Sequence, residues 1–106
     1  MDEALIQEIK LHAAQTYPQE CCGLICQQGD QLRYIPCKNT ATDPTEHFRI
    51  VPEDYARAED QGEVVAIVHS HPDATSQPSE LDRAQCDVTE LPWHILSWPE
   101  GDFRTL

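Results

Sequence analysis

The chain has 106 residues, 40% of them hydrophobic and 25% charged, which is the length and composition of one globular domain rather than two. Seven Lys+Arg against nineteen Asp+Glu leave a formal charge of −12, which argues against a sequence-independent grip on nucleic-acid phosphates or anionic lipid and favours a basic or neutral partner. No window approaches the roughly 18 consecutive apolar residues of a membrane span, and the acidic N-terminus lacks the basic stretch and apolar core of a secretory signal. The expectation is a soluble, cytoplasmic domain over 1–106 with no nucleic-acid and no membrane partner.

Leu5, Ile9 and His12/Ala13 recur at helical spacing before Pro18, predicting an amphipathic helix over residues 2–16. Cys22 to Gln27 reads as a strand, Gln28-Gly29-Asp30 as a turn, and Leu32 to Cys37 as the return strand of a hairpin. Residues 39–46 read as loop and His47 to Val51 as a short strand. Pro52, whose missing N–H costs nothing in a first helical turn, starts a helix over about Glu53 to Gln61 that Gly62 ends. Val64-Val65-Ala66-Ile67-Val68 is the one uninterrupted aliphatic run, β-branched and too short for a buried helix, and reads as the central strand. Asp73 to Pro78 is a loop. Ser79 stands at an N-cap position with Asp82 three residues on, and predicts a helix to about Glu90 that buries Leu81, Ala84 and Val88. Trp93 to Trp98 and Phe103 to Leu106 read as a last hairpin around Pro99-Glu100-Gly101-Asp102.

Cys21, Cys22, Cys26, Cys37 and Cys86 are odd in number in a chain with enough apolar residues for a core, so they read as reduced thiols, the first three packed in a strand as small hydrophobes. No pair of C-x2-C motifs is present to make a cysteine zinc knot.

His69-Ser70-His71-Pro72 follows the aliphatic strand, and the period of two along an extended chain puts both imidazoles on one face. A third ligand can come from Asp82, because ten intervening residues let the chain fold back over the strand end. Two histidines and one aspartate leave the fourth tetrahedral position open, the arrangement of catalytic rather than structural zinc. Water held there is acidified toward a pKa of ~7. Attack on an amide also needs a base and an oxyanion donor. Glu20, just before the first strand, and Ser79 are the candidates.

These residues resemble the JAMM (MPN+) family of zinc metalloproteases, whose pattern is an upstream Glu followed by H-x-H-P-x6-S-x2-D. His69-Ser70-His71-Pro72, Ser79 and Asp82 fit it without a gap, and Pro18-Gln19-Glu20-Cys21-Cys22-Gly23-Leu24 is similar to the family's Glu-bearing segment. The resemblance covers nearly the whole chain. It implies a cytidine-deaminase-like mixed sheet flanked by helices, and one Zn2+ per chain on His69, His71 and Asp82. It also implies Glu20 as general acid/base and Ser79 as oxyanion donor. The wording from Trp93 to Asp102 is similar to the N-terminal domains of a group of tail assembly proteins from lambda-like phages, which implies phage tail proteins as partners. Such proteins continue into an NlpC/P60-type cysteine peptidase domain, and this chain stops where that domain would begin. Only 24 residues follow Asp82, little room for the insertions by which eukaryotic JAMM deubiquitinases hold ubiquitin.

His12, His47 and His94 have no partner at ligand spacing and read as ordinary histidines, and no spacing supports a Cys22–His94 thiol pair. Seven carboxylates from Asp43 to Glu63 against Arg49 and Arg57 read as a solvated face that can steer a basic substrate. The sequence therefore predicts an α/β domain with a mixed sheet flanked by helices and a zinc site at the C-terminal end of the central strand. The activity expected is hydrolysis of a peptide or isopeptide bond in a protein or peptide substrate. Release of a C-terminal group from a ubiquitin-like or sulfur-carrier protein shares that chemistry. The alternative of another class is a structural or binding module of a phage tail tip with a non-catalytic zinc.

Overall fold

The structure, a computed structural model, describes residues 1–106. Helix α1 (Glu3–Thr16) is started by the Asp2 side chain, which accepts from the Leu5 N–H at 2.8 Å, and it buries Leu5, Ile9 and Ala13. These three meet Ile25, Tyr34, Ala66, Val68 and Leu96 on one face of the sheet. Strands β1 (Cys22–Gln28) and β2 (Gln31–Cys37) form the expected hairpin. Gly29 takes φ +56° in its turn, and Pro36 is tolerated because β2 is an edge strand. Gly23 has a specific reason to be glycine: an added Cβ would lie 2.5 Å from the Tyr34 hydroxyl.

Helix α2 (Pro52–Gln61) begins at the proline and buries Ala58 against the opposite face, with Cys22, Leu24, Cys26, Ile35, Ile67 and Trp93. Strand β3 (Glu63–Pro72) outruns the aliphatic segment, so the histidines lie inside its last turns of pleat rather than beyond it. Helix α3 (Glu80–Thr89) then leads to β4 (Trp93–Trp98) and β5 (Phe103–Thr105). The sheet order is β2-β1-β3-β4-β5, with β3 and β4 parallel and the remaining pairs antiparallel. The α3 crossover supplies the connection that a parallel pair requires. This is the predicted mixed sheet flanked by helices. No helix is long and apolar enough to cross a membrane.

Two expectations are corrected. His47 to Val51 is not a strand. Arg49 spends its backbone groups on Thr40 and on the Asn39 side chain instead of on a ladder, while Phe48 and Ile50 pack on the lower core from a loop. The predicted buried face of α3 is solvent-exposed: Leu81 is 49% and Val88 84% accessible, Ala84 is also exposed, and the helix turns Asp82 and Cys86 inward. The helix is held through its cap and the Asp82 carboxylate, so an apolar spacing that matched a core stripe had no core to meet.

All five cysteines are free, and only Cys86 is even partly exposed. Burial pushes the thiols of Cys21, Cys22, Cys26 and Cys37 up from their ordinary value, Cys37 to about 11, which makes them inert packing residues.

Candidate metal centre

Residues 69 and 71 point to the α2 face of the sheet, while Ser70 between them points to the other. The Ser70 hydroxyl accepts from the Cys21 N–H at 2.8 Å, and the Ser70 N–H donates to the Cys21 carbonyl at 3.1 Å. This exchange locks the start of β1 against the end of β3, where Cys22 pairs with His69. Continuing that register sets Glu20 opposite His71. Ser70 was a bare spacer in the sequence pattern and is the residue that joins the two halves of the site.

His69 is fully buried, stacked on Phe48 at a centroid distance of 4.5 Å and edge-on to Trp93 at 5.5 Å. Its Nδ1 has no hydrogen-bond partner, so the ring is oriented by this packing and by the contacts of Nε2. Its Nε2 lies 3.3 Å from Asp82 Oδ1. His71 Nδ1 lies 2.8 Å from the Thr75 carbonyl, an acceptor only, so this nitrogen carries the hydrogen and Nε2 of the neutral ring is a bare lone pair. That lone pair faces Asp82 Oδ2 at 3.1 Å and His69 Nε2 at 3.2 Å. Acceptors converging at such distances repel unless a cation sits among them, whether a proton on an imidazole or a metal ion. The donor set fits a zinc ion: two imidazole nitrogens and one carboxylate oxygen, all within 4.8 Å of one another, the one such convergence of His, Cys, Asp and Glu in the molecule.

The electrostatics agree. Burial works against charge on His71, but the hydrogen bonds that its protonated ring donates to the Asp82 carboxylate and the Thr75 carbonyl outweigh it and raise its pKa. Burial lowers that of His69. Burial also opposes charge on Asp82, yet the hydrogen bonds of both histidines and of the Ser79 backbone hold its carboxyl well below the usual range. Asp82 is aimed by the helix start itself. Ser79 Oγ accepts from the Asp82 N–H at 3.0 Å while the Ser79 N–H donates to Asp82 Oδ2 at 2.9 Å, a complete capping box.

Glu20 is 5% exposed and lines, with His71, Ser79 and Asp82, a cleft of about 620 Å³. Burial pushes its carboxyl up to about 8, opposed by His71 and reinforced by the negative charges of Asp82 and Glu46. Its backbone is bracketed by the 39–49 loop: Glu20 N–H donates to the Pro44 carbonyl at 2.8 Å, and its carbonyl accepts from Asn39 Nδ2 at 3.1 Å. Asn39 Nδ2 also reaches the carbonyls of Pro44 and His47, and Asn39 Oδ1 accepts from the N–H groups of Ala41 and Arg49. The same loop lays Phe48 on His69. Asn39 went unnoticed in the sequence, where the only cue was an Asn opening a loop of turn-formers.

Of the other histidines, His12 Nδ1 meets the Tyr34 hydroxyl at 2.6 Å and His94 Nδ1 the Thr105 hydroxyl at 2.8 Å. His47 lines the cleft without joining the triad.

Comparison with known proteins identifies the family and the fold. Tail tip assembly protein K of Escherichia phage N15 is 64% identical over 106 residues, all of this chain but 44% of that protein. Tail tip assembly protein K of Escherichia phage lambda is 49% identical over 45 residues, 42% of this chain and 23% of that one. The chain thus spans less than half the length of either relative. Among solved structures, a protein of Desulfitobacterium hafniense is 26% identical with a TM-score of 0.73, over 97% of this chain and 77% of that one. A JAB1/MPN domain protein from Archaeoglobus fulgidus shares the fold at a TM-score of 0.60 and 21% identity, over 96% and 82% of the two chains. The family described as prokaryotic homologs of the JAB domain matches residues 2–106, and the chain belongs to that family.

Proposed function

We propose that residues 1–106 form one JAMM/MPN+ domain that hydrolyses a peptide or isopeptide bond with one zinc ion held by His69, His71 and Asp82. One observation carries the reading. The Thr75 carbonyl fixes the hydrogen of His71 on Nδ1, which leaves a lone pair, a second imidazole nitrogen and a carboxylate facing one another beside a buried glutamate. Bound there, zinc would supply Lewis-acid polarisation of a substrate carbonyl and acidify water.

The chain's own groups do the rest. The Glu20 carboxylate takes a proton from the water whose oxygen bonds to the scissile carbonyl carbon, then delivers it to the amine as the C–N bond breaks. Its burial keeps bulk water from levelling its basicity. Ser79 Oγ already accepts from the Asp82 N–H, so its hydrogen is free to be donated to the carbonyl oxygen as negative charge develops. Phe48 and Trp93 shield His69 from solvent, and the Thr75 carbonyl fixes the tautomer of His71.

Because the relatives are named tail tip assembly proteins, the substrate we propose is a phage tail protein, met in the host cytoplasm or at the tail tip. The same names favour a second reading, a binding module of the tail tip in which a bound metal braces the 72–79 loop without turnover. Glu20→Gln separates the two. The zinc-loaded chain and the variant are incubated with tail tip proteins, and cleavage is followed by mass spectrometry. The peptidase reading expects new termini with the parent and a rate lower by roughly a hundred to ten thousandfold with Glu20→Gln at unchanged zinc content. Equal cleavage by both removes the mechanism. No cleavage by the parent, with tail assembly equally supported by both, establishes the binding module.

A further inference from the structure

The unburied face of α3 continues the wall of the metal cleft. Leu81 and Gln85 line the cleft itself. Leu81, Ala84 and Val88 follow one another at spacings of three and four, so they form one apolar stripe along a flank roughly 100–160° around the helix from the inward Asp82. Leu81 is 49% and Val88 84% exposed, and these are two of the six large hydrophobic residues left in solvent anywhere on the molecule. The stripe is about 10 Å long at helical rise, the reach of three to four residues of extended polypeptide.

The electrostatic setting is one-sided. Four carboxylates line the cleft, Glu20, Glu46, Asp73 and Asp82, and neither Lys nor Arg does. Glu80 and Asp87 border the stripe, and Arg83 is the single cation of α3, on a chain of net charge −12. Asp82 is committed to the histidines, while Glu46 lies on the loop that brackets Glu20 and Asp73 holds the Tyr17 hydroxyl at 2.6 Å. An anionic or purely apolar chain laid here meets unpaired negative charge, whereas a cationic one carries the complementary sign.

We propose that the cleft and the outer flank of α3 together bind an extended, cationic polypeptide substrate, with an aliphatic side chain seated on Leu81 and a lysine or arginine facing Glu46 and Asp73. This rests on the reading of the cleft as a peptidase site and names the class of chain it selects. The apolar stripe supplies contact area that a charged solvent-facing helix would not, and the carboxylates supply sign and orientation.

The test uses two fluorescein-labelled octapeptides, one alternating Leu and Lys and the other alternating Leu and Glu. Binding to the zinc-loaded Glu20→Gln chain is read by fluorescence anisotropy. The proposal expects the Leu/Lys peptide to bind at least tenfold more tightly, with the gap closing at high salt. Leu81→Ser is expected to weaken it three- to tenfold with zinc content and helical circular dichroism unchanged. Glu46→Gln, on an exposed loop, is expected to shrink the Lys/Glu preference while leaving the effect of Leu81→Ser in place. Equal affinity for the two peptides, no binding of either, or indifference to Leu81→Ser overturns the proposal. A Leu/Lys preference in a parent chain that cleaves neither peptide nor tail protein upholds this surface and removes the peptidase reading. Cleavage of tail proteins without any such preference does the reverse.

Discussion

Replacing Glu20 with glutamine in the metal-free protein should stabilise it, and by an amount that grows with pH. The carboxyl is nearly inaccessible, and burial lifts it from its ordinary 4.5 to about 8. A carboxyl raised in the folded state contributes stability that is fully present below pH 4.5 and is lost as pH rises through about 8, because the unfolded chain releases a proton that the folded one retains. At about 1.4 kcal/mol per pH unit, that interval bounds the loss at about 5 kcal/mol. Glutamine has no proton to release and keeps the shape, so the variant's advantage over the parent should open between pH 4.5 and pH 8 and then level off. The depressed carboxyl of Asp82 and the raised imidazole of His71 titrate in both proteins and largely cancel in the difference. Urea unfolding of both proteins in excess chelator, from pH 4 to 9, measures it directly. With zinc added, the neighbouring cation favours the ionised carboxylate, and the advantage should shrink. A difference that stays flat across this range would show that Glu20 is solvated rather than buried, and with it the argument for a poised base would fail.

Two further substitutions probe how the site is assembled. Ser79→Ala should cost about 1 kcal/mol by thermal or urea unfolding through the lost cap and, separately, on the order of a hundredfold in rate through the lost oxyanion donor. Ser79→Asp caps the helix but cannot donate when ionised, so full activity in that variant would mean that Ser79 only caps. Asn39→Ala leaves the carbonyls of Glu20, Pro44 and His47 and two backbone N–H groups without their shared partner. It should cost about 1–3 kcal/mol in urea unfolding and raise amide hydrogen exchange across residues 40–49 before the rest of the chain. Uniform exchange with no added protection loss in that loop would remove Asn39 as its clamp.

What was legible in the sequence was local. The Leu5/Ile9/Ala13 stripe, the Gln28-Gly29-Asp30 turn, Pro52 at a helix start and the Val64–Val68 run each report on a few neighbouring residues, and each element formed. The convergence of the candidate triad was legible for the same reason, since alternation along one strand sets His69 and His71 on one face and a capping box sets the Asp82 carboxylate. The failures were of tertiary origin. Leu81, Ala84 and Val88 have the spacing of a buried stripe, but a helix buries that stripe only if the fold turns it toward a sheet, and here the cap and Asp82 fix the opposite rotation. His47 to Val51 carries apolar residues at alternate positions, yet its backbone partners are Thr40 and the Asn39 side chain, contacts that no pattern within the segment announces. Ser70 and Gly23 matter for what lies across the sheet, Cys21 in one case and the Tyr34 ring in the other.

In the proposed reading, His69, His71 and Asp82 form a metal site of which each member is a ligand. It is tested most directly by metal analysis of the purified chain together with zinc titration of the chelated protein, in the parent and in His71→Ala. About one equivalent of zinc is expected in the parent, with loss of most of it in His71→Ala, because two remaining ligands cannot hold zinc tightly. Glu20→Gln is expected to keep its full equivalent. Zinc content unchanged in His71→Ala, or lost in Glu20→Gln, would contradict that reading.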